Sequence, residues 1–217
     1  MYWPHLNNKL TANLESSIVY TEIMSVIKGG LTASEVAHNG IISREDYVAL
    51  CDSITSIFDA KKREINCSIF LQYEKIKMEK GNFDLTNLVN DLHQRLEFEG
   101  YNGDFMDYVY IDEVQDLTIR QIMLFKYVCR NVHEGYAFSR DIAQAIAKGI
   151  GFRFEDIRWL FFRKFLLGSE KGKLSKVFQL SENFHTHTGV LNLAQSVVNL
   201  LCHFFPLFVD ALSPETS

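Results

Sequence analysis

One short segment, Tyr108–Thr118 (YVYIDEVQDLT), constrains the fold more than any other part of this sequence. Its first four residues are apolar and β-prone, which is typical of a strand buried on both faces, and acidic residues follow at once. Two further short apolar runs occur at residues 135–139 (GYAFS) and 176–180 (KVFQL), and a helical pattern follows each of the three runs. Strands that alternate with helices in this way predict an α/β protein with a parallel sheet.

The first half of the chain shows a different pattern, with apolar residues at helical spacing over residues 14–98. Asp84 is placed to cap the last of these helices at its N-terminus. We expect this helix to bury one apolar face against the core. That face consists of Leu85, Leu88, Val89, Leu92 and Leu96. The sequence therefore predicts a helix-rich protein in which a helical module, residues 1–100, precedes the part that contains the strands.

The composition excludes several classes of protein. The chain has 217 residues, of which 47% are hydrophobic, and a formal net charge of −5, which argues against disorder and against a surface that is basic throughout. The four cysteines show no C-x-x-C spacing, so we expect neither a disulfide framework nor a zinc module. The most apolar stretch, residues 197–212, is too short and too polar to span a bilayer. We therefore expect an intracellular protein without a membrane partner.

Asp112 and Glu113 lie where chemistry is expected in a parallel sheet. Ligands of open α/β sheets bind at the carboxyl ends of the strands. In nucleotide hydrolysis one carboxylate at this edge holds Mg²⁺, and a second group positions the attacking water. The sequence therefore suggests Asp112 as the Mg²⁺ ligand and Glu113 as the residue that positions water. The alternative is that two adjacent acids simply end a strand in solvent.

Three segments, in the same order along the chain, resemble motifs of the UvrD/Rep-type superfamily 1 helicases. D-E-x-Q-D at residues 112–116 resembles motif II, residues 138–144 (FSRDIAQ) resemble motif III, and residues 180–186 (LSENFHT) resemble motif IV. The segments are most similar to plant helicase-like proteins that carry TPR and ankyrin repeats. The resemblance implies an ATP-dependent DNA helicase with a P-loop NTPase (RecA-like) sheet. Residues 101–168 would then form the back part of the first RecA-like domain, and residues 174–217 the start of the second.

The same resemblance implies roles for particular residues. The catalytic residues would be Glu113, Gln115 and Gln144. The residues that bind the cofactors, Mg²⁺ and ATP, would be Asp112, Asp116, Asp141 and His185, with Asp112 as the metal ligand. Single-stranded DNA or RNA would be the macromolecular partner.

Three departures from the helicase pattern bear on activity. The sequence contains no G-x-x-x-x-G-K-[ST] loop, Arg140 stands at the position of the motif III glycine, and His185 stands at that of the motif IV arginine. The backbone cradle that binds phosphates is therefore missing. A neutral imidazole also lacks the permanent charge of a guanidinium group. We therefore expect a fragment of a helicase core that is impaired or inactive on its own.

Two other interpretations stay open. A helicase-derived scaffold without its phosphate-binding loop could act as a non-catalytic module that binds nucleic acid or protein. The chain could also fail to fold stably by itself, because the missing strand would leave a sheet edge unpaired. The helicase class suggests the nucleus as the compartment.

Overall fold

In a computed structural model of the protein, the residues described are 3–30, 40–50, 58–140, 158, 161–166, 176–180 and 186–204. The helices are α1 (Asn8–Thr11), α2 (Ser16–Glu22), α3 (Arg44–Val48), α4 (Ala60–Glu79), α5 (Leu85–Glu99), α6 (Ile119–Val128) and α7 (Thr188–Phe204). Short 3-10 or π-helical segments are Trp3–His5, Ile23–Ile27, Val114–Asp116 and Phe162–Leu166. The strands are β1 (Val109–Ile111) and β2 (Tyr136–Phe138). The prediction of a helix-rich protein is confirmed.

Side-chain caps fix where three of the helices begin. At α4, the carboxylate of Asp59 accepts a hydrogen bond from the backbone N–H of Lys62 at 2.8 Å. At α5, Asp84 accepts from the N–H of Asn87 at 2.9 Å, and the Asn87 side chain accepts from the N–H of Asp84 at 3.1 Å. Thr118 forms a similar reciprocal box at the start of α6. Each box satisfies backbone donors that the helix itself leaves free, and the prediction that Asp84 is an N-cap is confirmed.

The helices of the first half enclose a core of their own. Its buried members are Leu6, Val19, Ile23, Met24, Ile27, Ile42, Tyr47, Phe58, Cys67, Ile69 and Tyr73. Val19, Ile23 and Ile27 recur at intervals of four in α2 and the π-helical segment that follows it, and Ile69 and Tyr73 do so in α4, so one stripe of each faces this core. Within the described part of residues 14–98, the apolar pattern therefore corresponds to packed helices, with α5 as the exception described below.

β1 and β2 form a parallel pair in which Tyr110 lies opposite Ala137. Because α6 lies between them in sequence, the three elements form a β-α-β unit. A second core lies beneath this unit and contains Val109, Ile111, Val114, Ile119, Ile122, Cys129 and Phe165. The predicted parallel pairing of strands is thus confirmed for β1 and β2. The finer prediction of a P-loop NTPase sheet is not shown, because the sheet in the described residues has two strands.

Two predictions about strands are wrong. β1 is buried on one face only, because Val109 and Ile111 point into the second core whereas Tyr110 is 76% exposed. Residues 176–180 have no regular secondary structure, and Phe178 and Leu180 are exposed. Both errors have the same cause: apolar β-prone residues were taken as evidence of burial, but these side chains face solvent.

The helical pattern that follows residues 176–180 is present as α7. Most of the helical pattern that follows residues 135–139 lies outside the described residues. Among the helices within the described ranges, none combines the length and the apolar character needed to cross a bilayer.

Candidate functional site

The end of β1 is tied to the end of β2 through Asp112 and Ser139. Asp112 Oδ1 accepts a hydrogen bond from the backbone N–H of Glu113 at 3.0 Å, and it also accepts one from the hydroxyl of Ser139. The backbone of Ser139 donates to the carbonyl of Ile111 at 2.9 Å and accepts from the N–H of Val114 at 3.0 Å. These bonds continue the strand pairing past both strand ends. They therefore give Asp112 a structural role at the sheet edge.

Glu113 and Gln115 form a second contact at this edge. Glu113 has φ of 50°, in the left-handed region that is uncommon for residues other than glycine, and this conformation turns the chain into the 3-10 segment. The side-chain amide of Gln115 is buried and donates from Nε2 to the carboxylate of Glu113, whereas its Oε1 has no hydrogen-bond partner. Asp116 is exposed. The edge thus brings together the four residues of the D-E-x-Q-D motif that were singled out.

The other predicted site residues, Asp141, Gln144 and His185, lie outside the described residues. Across the part of the chain that the structure describes, His, Cys, Asp and Glu side chains form no group of three or more placed to hold a metal ion. The catalytic and cofactor-binding roles given to these residues stay predictions.

Helix α5 exposes two of its four leucines and buries a side that contains three polar residues. The predicted core face is wrong for Leu85 and Leu88, which are 61% and 45% exposed. Leu92 and Leu96 are half-buried, and only Val89 of the predicted face is fully buried. The remaining buried residues of this helix are Thr86, Asn90 and His93. We call the set Leu85, Leu88, Leu92 and Leu96 the leucine face.

Specific polar contacts to α6 explain this orientation. Asn90 Oδ1 accepts a hydrogen bond from Arg120 Nε at 2.6 Å, and His93 Nε2 lies 2.8 Å from the backbone carbonyl of Arg120. On the far side of the His93 ring, Nδ1 lies 3.2 Å from the hydroxyl of Tyr127. Burial lowers the pKa of His93, which favours the neutral imidazole, and Nε2–H donates to the Arg120 carbonyl. The buried side of α5 is therefore satisfied without its leucines.

A buried cluster of ion pairs fixes the first turn of α5 to the rest of the helical half. Asp84 Oδ2 lies 2.6 Å from Lys28 Nζ and 2.9 Å from Lys77 Nζ, and Glu74 Oε1 lies 3.0 Å and 2.7 Å from the same two ammonium groups. The hydroxyl of Tyr73 also donates to Asp84 at 2.9 Å. Burial alone would raise the pKa of Asp84, but the two lysines outweigh it and lower the pKa to about 2.

Helix α7 carries a second exposed apolar stripe. Leu191 is its buried residue, and the polar side chains of Asn192 and Asn199 are exposed. Five further apolar side chains are between 52% and 70% exposed: Val190, Leu193, Val197, Leu200 and Phe204. We call these five residues the α7 stripe. Contiguous exposed apolar surface of this kind is typical of interaction sites.

Comparison with known proteins shows a similarity to a repeat-containing protein. The chain is 33% identical over 218 residues to human TPR and ankyrin repeat-containing protein 1. The match covers 99% of this chain but only 7% of the relative. No protein-family model matches the chain, and no solved structure matches it.

The comparison contradicts the assignment to UvrD/Rep-type helicases. The relative is named for its TPR and ankyrin repeats, and no helicase family or helicase structure is found. The functions that the resemblance implied, ATP binding, ATP hydrolysis and DNA unwinding, are therefore wrong as an assignment for this chain. The motif-based prediction failed because an acidic residue after an apolar strand can also have a structural role. Here Asp112 accepts a hydrogen bond from the hydroxyl of Ser139 at the end of the neighbouring strand.

Sequence reasoning missed the surface that stands out in the structure. The signal was present, because Asn90 and His93 lie three residues apart on one side of α5 and share that side with Thr86 and Val89. Polar residues at helical spacing beside a leucine-rich face indicate either a solvent-exposed side or a side that docks through hydrogen bonds. The partner groups on Arg120 and Tyr127 lie about 30 residues further along the chain, and only the structure brings them together.

Proposed function

We propose that this chain is a protein-interaction module whose leucine face receives an amphipathic helix of a partner protein. One observation carries the proposal: α5 buries the polar residues Thr86, Asn90 and His93 and leaves Leu85 and Leu88 exposed. Leucine side chains gain free energy when they leave water, so a helix that exposes them while burying polar groups has an apolar face available for a partner.

The spacing of the leucine face fits a helical partner. Its residues follow one another at intervals of three, four and four, so they line one side of a straight helix. Helix recognition typically uses apolar anchors at such spacing. A flat apolar strip of this kind offers no hydrogen-bond donors for phosphates, and the chain as a whole is acidic, with a net charge of −5. These features favour a protein partner over a nucleic acid.

The relative supports the same conclusion. It is named for TPR and ankyrin repeats, which are units of packed helices that commonly form protein-binding surfaces. The chain spans 7% of the length of that protein. The alternative from the sequence, a non-catalytic interaction module, is the interpretation that this match favours.

A selection experiment tests the proposal. The full chain would be screened against a displayed library of amphipathic helical peptides, and selected peptides would be measured by isothermal titration calorimetry. We expect binders with Leu or Ile at three- and four-residue spacing. The variants Leu85→Glu and Leu88→Glu should weaken their binding at least tenfold, because anchors buried at an interface dominate its affinity.

Gln94→Glu is the matched control, because Gln94 is an exposed residue on another side of the same helix. It adds the same charge and should leave peptide binding unchanged. Urea unfolding would show that all three variants remain folded. The proposal is refuted if no helical peptide is selected, or if the selected peptides bind the two leucine variants as tightly as they bind the original protein.

A further inference from the structure

The strongest unassigned surface is the α7 stripe, which is separate in sequence from the leucine face. Helix α7 contains 17 residues and none of them is Asp, Glu, Lys or Arg. Leu191 is buried and Gln195, Val198 and Cys202 are half-buried, so one side of the helix packs on the protein. The α7 stripe lies on roughly the opposite side and faces solvent.

The spacing of the stripe is that of a coiled-coil seam. Val190, Leu193, Val197, Leu200 and Phe204 follow one another at intervals of three, four, three and four. This alternation is the a/d pattern of the heptad repeat, with Val190, Val197 and Phe204 at the a positions and Leu193 and Leu200 at the d positions. A β-branched residue at a with leucine at d favours parallel pairs of helices.

The residues beside the seam favour pairing of two identical helices. The flanking e and g positions hold Gly189, Ala194, Ser196, Leu201 and His203. In a two-fold pair each surface meets a copy of itself, so flanks that carry charges of one sign would repel each other. The flanks of α7 hold no carboxylate, ammonium or guanidinium group, so two copies meet without repulsion.

We propose that the α7 stripe pairs with the same stripe of a second copy of this chain, forming a short parallel two-stranded coiled coil. Asn192 and Asn199 lie outside the seam and keep their contact with water. A fully exposed apolar side chain of this size has roughly 100 Å² of solvent-accessible surface. Five such side chains that are just over half exposed therefore have about 300 Å² of accessible apolar surface per copy. The pair therefore buries about 600 Å², which is below the usual size of a stable interface and corresponds to weak, reversible association.

Sedimentation velocity of the full chain over a range of about 10 to 500 µM tests the pairing. We expect a reversible monomer–dimer equilibrium within this range, since small interfaces give weak complexes. The double variant Leu193→Lys/Leu200→Lys should be monomeric throughout, because two ammonium groups per helix would meet at the seam. The matched control Asn192→Lys/Asn199→Lys adds the same charge to the same helix outside the seam and should dimerise as the original protein does.

A charge-swap mixture separates helix pairing from a change in folding. Leu193→Glu/Leu200→Glu should also be monomeric, whereas an equimolar mixture of this variant with Leu193→Lys/Leu200→Lys should form a mixed dimer, because d positions face each other in a parallel pair. Helical peptides selected on the leucine face should bind these variants normally, so failure here is distinguishable from failure of the proposed function. The inference is overturned if the original chain stays monomeric at 500 µM, if the control loses dimerisation, or if the mixture remains monomeric.

Discussion

Replacing Asp84 by Asn tests how strongly the buried ion cluster stabilises the protein. Asn keeps the size of the side chain and remains a good N-cap, so α5 can still begin at the same residue. It removes the charge that Lys28 and Lys77 share, and it leaves Glu74 to balance two buried ammonium groups. The change therefore isolates the charge of Asp84 from its capping function.

The pKa of Asp84 gives the expected magnitude. Its folded-state pKa is about 2, against an ordinary value of 3.8. A difference of nearly two pKa units corresponds to roughly 2 kcal/mol at pH 7. Because the folded pKa is the lower one, this stabilisation is fully present above about pH 5 and is lost as the pH falls through 3.8 towards 2. At pH 3 about half of it should remain.

Urea unfolding followed by circular dichroism measures the effect. Asp84→Asn should lower the free energy of unfolding by about 2 to 4 kcal/mol at pH 7, and by clearly less at pH 3. Asp91→Asn, on an exposed position of the same helix, should change it by less than about 0.5 kcal/mol. The double variant Asp84→Asn/Lys77→Met should recover part of the loss, since it restores the balance of charge. A loss at pH 7 no larger than that of Asp91→Asn, or an equal loss at both pH values, would refute this account.

Four further changes can be measured by the same unfolding assay. Gly40→Ala should lower the free energy of unfolding by at least about 2 kcal/mol, because a Cβ atom there would lie 2.5 Å from Asn90 Oδ1 and the backbone φ is +69°. Gly81→Ala should lower it by about 1 kcal/mol, because φ is +64° but no atom lies within 4 Å of the added Cβ. Tyr47→Phe should cost about 1 to 3 kcal/mol, because the buried hydroxyl donates to Glu22 at 3.0 Å and accepts from Asn66 at 2.8 Å. Ile122→Ala should cost about 2 to 5 kcal/mol, because this side chain is fully buried under the sheet, and a cost below 1 kcal/mol would contradict that packing.

Local signals in the sequence predicted local structure well. The cap at Asp84 and the helix that follows residues 176–180 depend on residues close together in the chain. The parallel pairing of β1 and β2 follows from the alternation of strand and helix. These features depend on neighbouring residues, so a single sequence is sufficient to predict them.

Predictions failed where burial depends on distant groups. The leucine face of α5 has the pattern of a core stripe, but Arg120 and Tyr127 draw the adjacent side of the helix inward through Asn90 and His93. The side chain of Tyr110 was expected to be buried because its neighbours in sequence are apolar, but it is 76% exposed. The D-E-x-Q-D motif likewise predicted chemistry from residue types alone, without the contacts that give Asp112 a structural role.

The orientation of α5 has a consequence for how this protein can change over evolution. Its attachment to the fold depends on Asn90, His93 and the ion pairs of Asp84, and each of these residues is specified by a particular hydrogen-bond partner. Leu85 and Leu88 contribute less to that attachment, because they are 61% and 45% exposed. Substitutions at these two positions can therefore alter the choice of partner while the helix stays in place. Selection for binding and selection for folding act on adjacent sides of the same helix.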